Sequence, residues 1–262
     1  MLEISKLSEK YKESSAMRTI DLLKIFLRSL FIESSFNFSH MQNIGFAYTL
    51  IPLVKRLGGG RKRTAQILGR HVQLFNSHPY MTGAIIGSVA KLEEECPGGD
   101  CPEAVTLKKS IMSPYAAIGD PFFWGALRPL SLIVGVIIAV KGFIVAPIVS
   151  IVIYNAIHLW VRIKGFIEGY RNGRGAIEFF KTMNLPDMSR KIRWASLFLL
   201  ALLTVTLMII LPFPGVESFG FWGSILVLVA ILLFSWLMEK GLSPFVLLYG
   251  STVVIMVVAI II

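Results

Sequence analysis

Four stretches of this chain, residues 142–161, 194–216, 218–238 and 241–262, contain no Asp, Glu, Lys or Arg. At about 1.5 Å rise per residue, each is long enough to cross a hydrocarbon core of roughly 30 Å as a helix. The rest of the composition points the same way: of 262 residues only 16% are charged and 55% are hydrophobic, whereas a soluble domain carries about 25% charged residues. Such a chain lacks the side chains to cover itself for water, and a bilayer is the solvent it fits. The expected fold class is an all-α polytopic membrane protein.

The formal net charge of +10 raises the question of nucleic acid. The cations, however, crowd beside the apolar runs, which is the bias of cytoplasmic loops, and no RNA-binding motif is present. Nucleic acid is therefore not an expected partner. The first 19 residues are polar and mixed in charge. They lack the apolar core of a cleaved leader, so insertion is expected to use the internal spans. Cys96 and Cys101 flank a Pro-Gly-Gly turn. A structural zinc site needs four ligands and no second pair exists, so no metal is expected. Two incidental thiols are the reading adopted, with a local disulfide as the alternative.

The two halves of the chain differ in kind. Residues 19–30 place Ile20, Leu23, Leu27 and Leu30 at helical spacing with Lys24 and Arg28 elsewhere. That pattern fits a helix lying in the membrane interface or on a partner, and equally an amphipathic core helix; Thr19 or Asp21 is the expected cap. Residues 34–53 are apolar but hold Asn37, Gln42 and Asn43 near their centre. In lipid such groups must face protein or a wet cavity. The basic residues 55–70 read as a cytoplasmic loop and helix. Residues 80–90 are eleven apolar and small residues, too few to span, and fit a re-entrant or partner-packed hairpin arm. In residues 111–127, Pro114, Gly119, Pro121 and Gly125 are expected to break the helix around Asp120 and Trp124. An Asp there costs about 2.5–3.5 kcal/mol on insertion scales unless it faces water, substrate or cation.

From Arg128 onward the spans look conventional, turning at Lys141–Gly142, Pro212–Gly215 and Glu239–Gly241, with a basic cytoplasmic stretch over 162–193. The expected division is therefore 1–127, an amphipathic helix plus an interrupted, re-entrant core, and 128–262, a transmembrane scaffold. Charge bias puts the N-terminus in the cytoplasm and the C-terminus outside. No nucleophile–base pair, HExxH spacing or P-loop emerges, so no catalytic residue or cofactor is expected. What remains are amides (Asn37, Gln42, Asn43, Asn76) beside rings (Phe36, Trp124), a combination that suits sugar hydroxyls and C–H faces. A stand-alone ion-coupled transporter or channel using Asp120 is the alternative on residues alone.

The motifs SFNFSHMQNIGFAYTLIP, RHVQLFNSHPY, GAIIGSVAKLEEE and AAIGDPFFWGALRP, in this order, resemble the IID subunit of the mannose/fructose/sorbose phosphotransferase family. The resemblance runs from about Asp21 to Arg162. It implies a non-catalytic subunit of the bacterial cytoplasmic membrane that pairs with a IIC subunit, in a higher oligomer of such pairs, to take up a hexose or related sugar. Cytoplasmic IIA and IIB proteins supply the phosphate. By motif position, Phe36 stands where the family has Trp, and Asn37, Gln42, Asn43 and Asn76 fall at sugar-side or subunit-interface positions. Asp120, Trp124 and Arg128 fall at the broken helix. The substitution at Phe36 and the Ser39–His40 pair bear on which sugar is accepted. The short connection over 212–218 and the two-cysteine loop depart from the family pattern.

Overall fold

The computed structural model describes residues 17–96, 100–210 and 220–261, and these are helical almost throughout. The helices are α1 (Thr19–Ser29), α2 (Asn43–Thr49), α3 (Ile51–Leu57), α4 (Gly60–His71), α5 (Thr82–Glu95), α6 (Pro102–Gly119), α7 (Arg128–Val140), α8 (Ala146–Asn172), α9 (Ala176–Met183), α10 (Leu185–Ile210), α11 (Gly220–Glu239) and α12 (Pro244–Ile261). Short 3-10 turns lie at Ile32–Ser35 and Gly173–Gly175. Among the described residues, β-pairing is limited to isolated bridges of Met41 with Asn37 and with Phe75.

Two helices of the described residues are long and apolar enough to cross a bilayer: the 39-residue run Pro102–Val140 and the 27-residue α8. Residues 225–239 and 244–257 form shorter apolar helices. The first run corrects an expectation. Residues 111–127 do not break; between α6 and α7 the backbone winds as a π-helix over Asp120–Leu127. Pro121 has no N–H to give, and widening the hydrogen-bond ladder to i→i+5 absorbs the fault that would otherwise sever the helix. The hairpin turn after α7 lies where the sequence places it. The amides of Gly142 and Phe143 bond back to Ala139 and Ile138, with Gly142 at φ +84°. The turn after α11 repeats this at Gly241, φ +95°. The expected Pro212–Gly215 turn lies outside the described residues.

The chain separates into two compact units that do not follow chain order. One takes the described residues up to Gly125 together with Ile151–Ser189; the other takes Ala126–Ser150 and Arg190 onward. The first unit is built around α5, which is buried along almost its whole length. Its hairpin with α6 and its crossing of α8 supply that burial from within the chain. At the crossing, two small-residue motifs meet: Gly83-x-x-x-Gly87 on α5 and Gly165-x-x-x-Gly169 on α8. A Cβ at Gly87 would lie 2.4 Å from Phe166 O, and one at Gly169 would lie 2.3 Å from Ala84 O. The backbones touch because neither carries a side chain there.

Helix α1 packs on α2, α3 and α5 through Ile25 and Ser29, both fully buried. Its start lies at Arg18 with no side-chain cap, so neither Thr19 nor Asp21 caps it; Asp21 instead sits in the first turn, facing the positive end of the helix dipole. Ile20, Leu23 and Leu27 remain 51%, 49% and 48% exposed. The apolar stripe thus faces away from this chain's own core, and the core-helix reading falls.

The two cysteines are joined as a disulfide, with Cα atoms 5.8 Å apart and Cys101 fully buried, which corrects the reading of incidental thiols.

Candidate functional site

The site grows from one irregular loop. After Ile32–Ser35 the chain runs through Phe36–Gln42 without helix, held by reciprocal backbone bonds between Asn37 and Met41 at 3.0 and 2.8 Å. Met41 takes φ +56° to close that turn, a conformation a bulky residue adopts only where its surroundings impose it.

The amides singled out in the sequence impose it. Gln42 grips the backbone of Ser77 twice, giving Nε2–H to its carbonyl at 2.8 Å and accepting its N–H at 3.0 Å. A further Nε2–H goes to the Glu33 carboxylate. Asn43 gives Nδ2–H to Val72 O at 2.6 Å and accepts from Asn37 at 2.9 Å, while Asn37 Oδ1 accepts the His40 N–H at 2.8 Å. Three amides therefore knit the 36–42 loop to the 72–77 loop, and Gln42 and Asn43 are buried in doing so.

Between these loops and α6 lies a cavity of about 420 Å³. Five sequence-predicted residues line it: Phe36, Gln42, Asn76, Asp120 and Trp124. Three do not. Asn37 and Asn43 stand behind it as the knot just described, and Arg128, the exposed first residue of α7, is not among its lining. Sequence reading missed Glu33, Ser77 and His78 as cavity residues. Glu33 sits just ahead of the first motif and His78 inside the second, so proximity to the motifs was the available signal; nothing in the sequence showed that the two loops meet.

His78 is locked in place. Its ring stacks on Phe123 at 4.9 Å, meets Trp124 at 4.8 Å and stands edge-on to Tyr80 at 5.0 Å. Gly119 admits it: a Cβ there would fall 2.5 Å from His78 Cβ. Burial, with Arg162 and His158 nearby, pushes its pKa down to about 4, so the ring is neutral. Nδ1 accepts the Tyr80 N–H at 3.2 Å, which leaves the proton on Nε2. That Nε2 and the Ser77 hydroxyl are buried without hydrogen-bond partners. The cavity thus offers the carboxylates of Glu33 and Asp120, the Asn76 amide, and the exposed faces of Phe36 and Trp124.

A second polar cluster lies apart from it. Glu93 of α5 accepts from Arg70 Nε at 2.8 Å, from a second Arg70 nitrogen, and from His71 Nε2 at 2.8 Å. Lys108 Nζ reaches His71 O at 3.4 Å and lies over the Phe46 ring. Burial holds His71 below the usual imidazole range. Burial alone would raise Glu93, but the bonds from His71 and Arg70 hold its carboxyl below the usual carboxylate range. These groups are consumed by one another, a buried ionic tie among α4, α5 and α6.

Helices of spanning length around a polar cavity walled by rings fit a helical membrane protein. Comparison with known families makes this specific. The profile of the PTS system mannose/fructose/sorbose family IID component matches residues 16–218, and the chain belongs to that family. The fructose permease IID component of Bacillus subtilis (strain 168) is 29% identical over 89% of this chain and 92% of its own. The sorbose-specific EIID component of Klebsiella pneumoniae is 36% identical over 58% of this chain and 57% of its own. The mannose-specific EIID component of Escherichia coli (strain K12) is 33% identical over 58% and 56%.

Two solved structures, each 25% identical, align over 92% of this chain and 96% of theirs. One is a chain of the mannose transporter ManYZ in complex with microcin E492, with a TM-score of 0.58. The other is described as a membrane protein, with a TM-score of 0.66. Membership in this family supports the phosphotransferase reading over the stand-alone ion-coupled transporter.

Proposed function

We propose that this chain forms one wall of a sugar pathway whose other wall is a IIC subunit, in the cytoplasmic membrane of a bacterium. Sugar delivered through the pair is phosphorylated by a IIB protein recharged by IIA. In this reading α5 is the re-entrant arm, residues 1–127 carry the pathway and 128–262 the scaffold. The N-terminus is cytoplasmic and the C-terminus extracytoplasmic. A higher oligomer of IIC–IID pairs follows from the same reading.

The observation that carries it is the 420 Å³ cavity, which brings Phe36, Gln42, Asn76, Asp120 and Trp124 together with Glu33, Ser77 and His78. A hexose presents hydroxyls that pair with carboxylates and amides, and C–H faces that lie on rings. Asp120 and Trp124 offer one of each. Phe36, in place of a family Trp, keeps the ring face but has no indole N–H to donate. Asn37 and Asn43 serve the pathway by fixing its loops, and Arg128 by starting the helix that follows the π-helical segment.

Co-expression with the cognate IIC and its IIA and IIB should give phosphoenolpyruvate-dependent sugar uptake. Asp120→Asn and Trp124→Ala should each raise the half-saturating sugar concentration about tenfold or more while leaving the IIC complex intact. Transport by this chain alone, driven by an ion gradient and lost in Asp120→Asn, would reject the proposal.

A further inference from the structure

Away from the cavity lies a second hollow of about 480 Å³ between α1 and α3. Arg18, Lys24 and Arg28 line it from the α1 side, and Lys55 and Arg56 from α3. Asp21 is the one acid among its lining residues. Lys24 and Lys55 are exposed. Arg28 is pre-positioned: it bonds Tyr48 O at 3.2 Å and its guanidinium lies 4.4 Å from the centre of the Tyr48 ring. Ile20 also lines this hollow and starts the outward apolar ridge of α1, Ile20, Leu23 and Leu27, each about half exposed; Leu23 faces a separate hollow toward α8.

A concentrated positive charge next to an exposed apolar ridge on an amphipathic helix matches one amphiphile, negative at its head and apolar along its tails. We infer that this hollow binds the phosphate headgroup of an anionic phospholipid of the cytoplasmic leaflet, with the acyl chains laid along Ile20, Leu23 and Leu27. Cations clustered at a membrane surface select anionic lipid electrostatically, and the ridge adds apolar burial. A soluble phosphate would use the cations and ignore the ridge; a zwitterionic lipid would use the ridge and gain nothing net from the cations. The inference stands on the hollow and the ridge, independent of the sugar cavity, and takes its leaflet from the orientation proposed above.

The test uses the complex with its IIC subunit in detergent, titrated with dioctanoyl phosphatidylglycerol, dioctanoyl phosphatidylcholine or inorganic phosphate and read by native mass spectrometry. Phosphatidylglycerol should bind saturably to the wild type. Lys24→Gln with Lys55→Gln should weaken it roughly twenty-five-fold, taking about fivefold per cation, with PEP-dependent uptake in phosphatidylglycerol-free vesicles unchanged as the control for folding. Leu23→Ser with Leu27→Ser should also weaken it, by about tenfold. Equal binding of phosphatidylcholine, or an affinity indifferent to the lysine pair, would overturn the site. Phosphate binding as tightly as the lipid would make it a soluble-anion site. Loss of IIB docking in the lysine variant, with lipid binding intact, would make it a protein surface instead.

Discussion

Gln42 and Asn76 line the same cavity yet do opposite work. Gln42 is 3% exposed and spends its whole amide on Ser77 and Glu33, whereas Asn76 is exposed. Gln42→Leu strands a buried carbonyl and N–H, at about 1–3 kcal/mol, and should lower the midpoint of thermal unfolding in detergent. Asn76→Ala should leave that midpoint within the equivalent of about 0.5 kcal/mol and show itself only in a higher half-saturating sugar concentration. The tie of Arg70, His71 and Glu93 carries a pH dependence. His71 and Glu93 both have folded-state pKa values below their ordinary 6.5 and 4.5. On acidification the unfolded chain therefore takes up protons first. Stability is full above about pH 6.5 and declines below it, more steeply below about pH 4.5. Glu93→Gln should flatten the lower part of that profile, which chemical unfolding of the reconstituted protein at several pH values would read.

At the scale of elements, the crossing of α5 and α8 is a backbone-to-backbone contact with no room for a side chain. Gly87→Val puts atoms where Phe166 O and Tyr170 N already sit, 2.4 and 2.8 Å from the added Cβ. It should cost about 3 kcal/mol or more, seen as loss of folded protein in the membrane. Gly250→Ala, with nothing within 4 Å of its Cβ, should be tolerated. What could be seen of these elements from sequence depended on period and charge. The apolar runs, the turns at Gly142 and Gly241 and the amphipathic α1 follow from local pattern. The π-helical segment did not: Pro114, Gly119, Pro121 and Gly125 mark a fault in the helix, but whether it opens as a break or as a wider coil is decided by packing. The buried state of α5 was equally hidden, because eleven small and apolar residues read alike whether the neighbours come from the same chain or another.

For the whole molecule, the motif residues were legible and their meeting was not. Phe36, Asn76 and Asp120 lie in three separate stretches of sequence, and only the fold shows that one cavity collects them while Asn37 and Asn43 turn away. Charge bias does make a statement about orientation that can be tested. With both native cysteines replaced by Ser, Lys240→Cys in the turn after α11 should react with a membrane-impermeant thiol reagent only from the cytoplasmic face. Labelling from outside would invert the proposed orientation of the C-terminal hairpin.

The facing glycines of α5 and α8 also limit how this protein can change over time. An intruding Cβ at Gly87 or Gly169 strikes carbonyl oxygen and amide nitrogen rather than a side chain. Those atoms are common to every residue, so no replacement at Phe166 or Tyr170 makes room. A lesion at Gly87 therefore has no local suppressor, and reversion is the route back that a genetic screen should return.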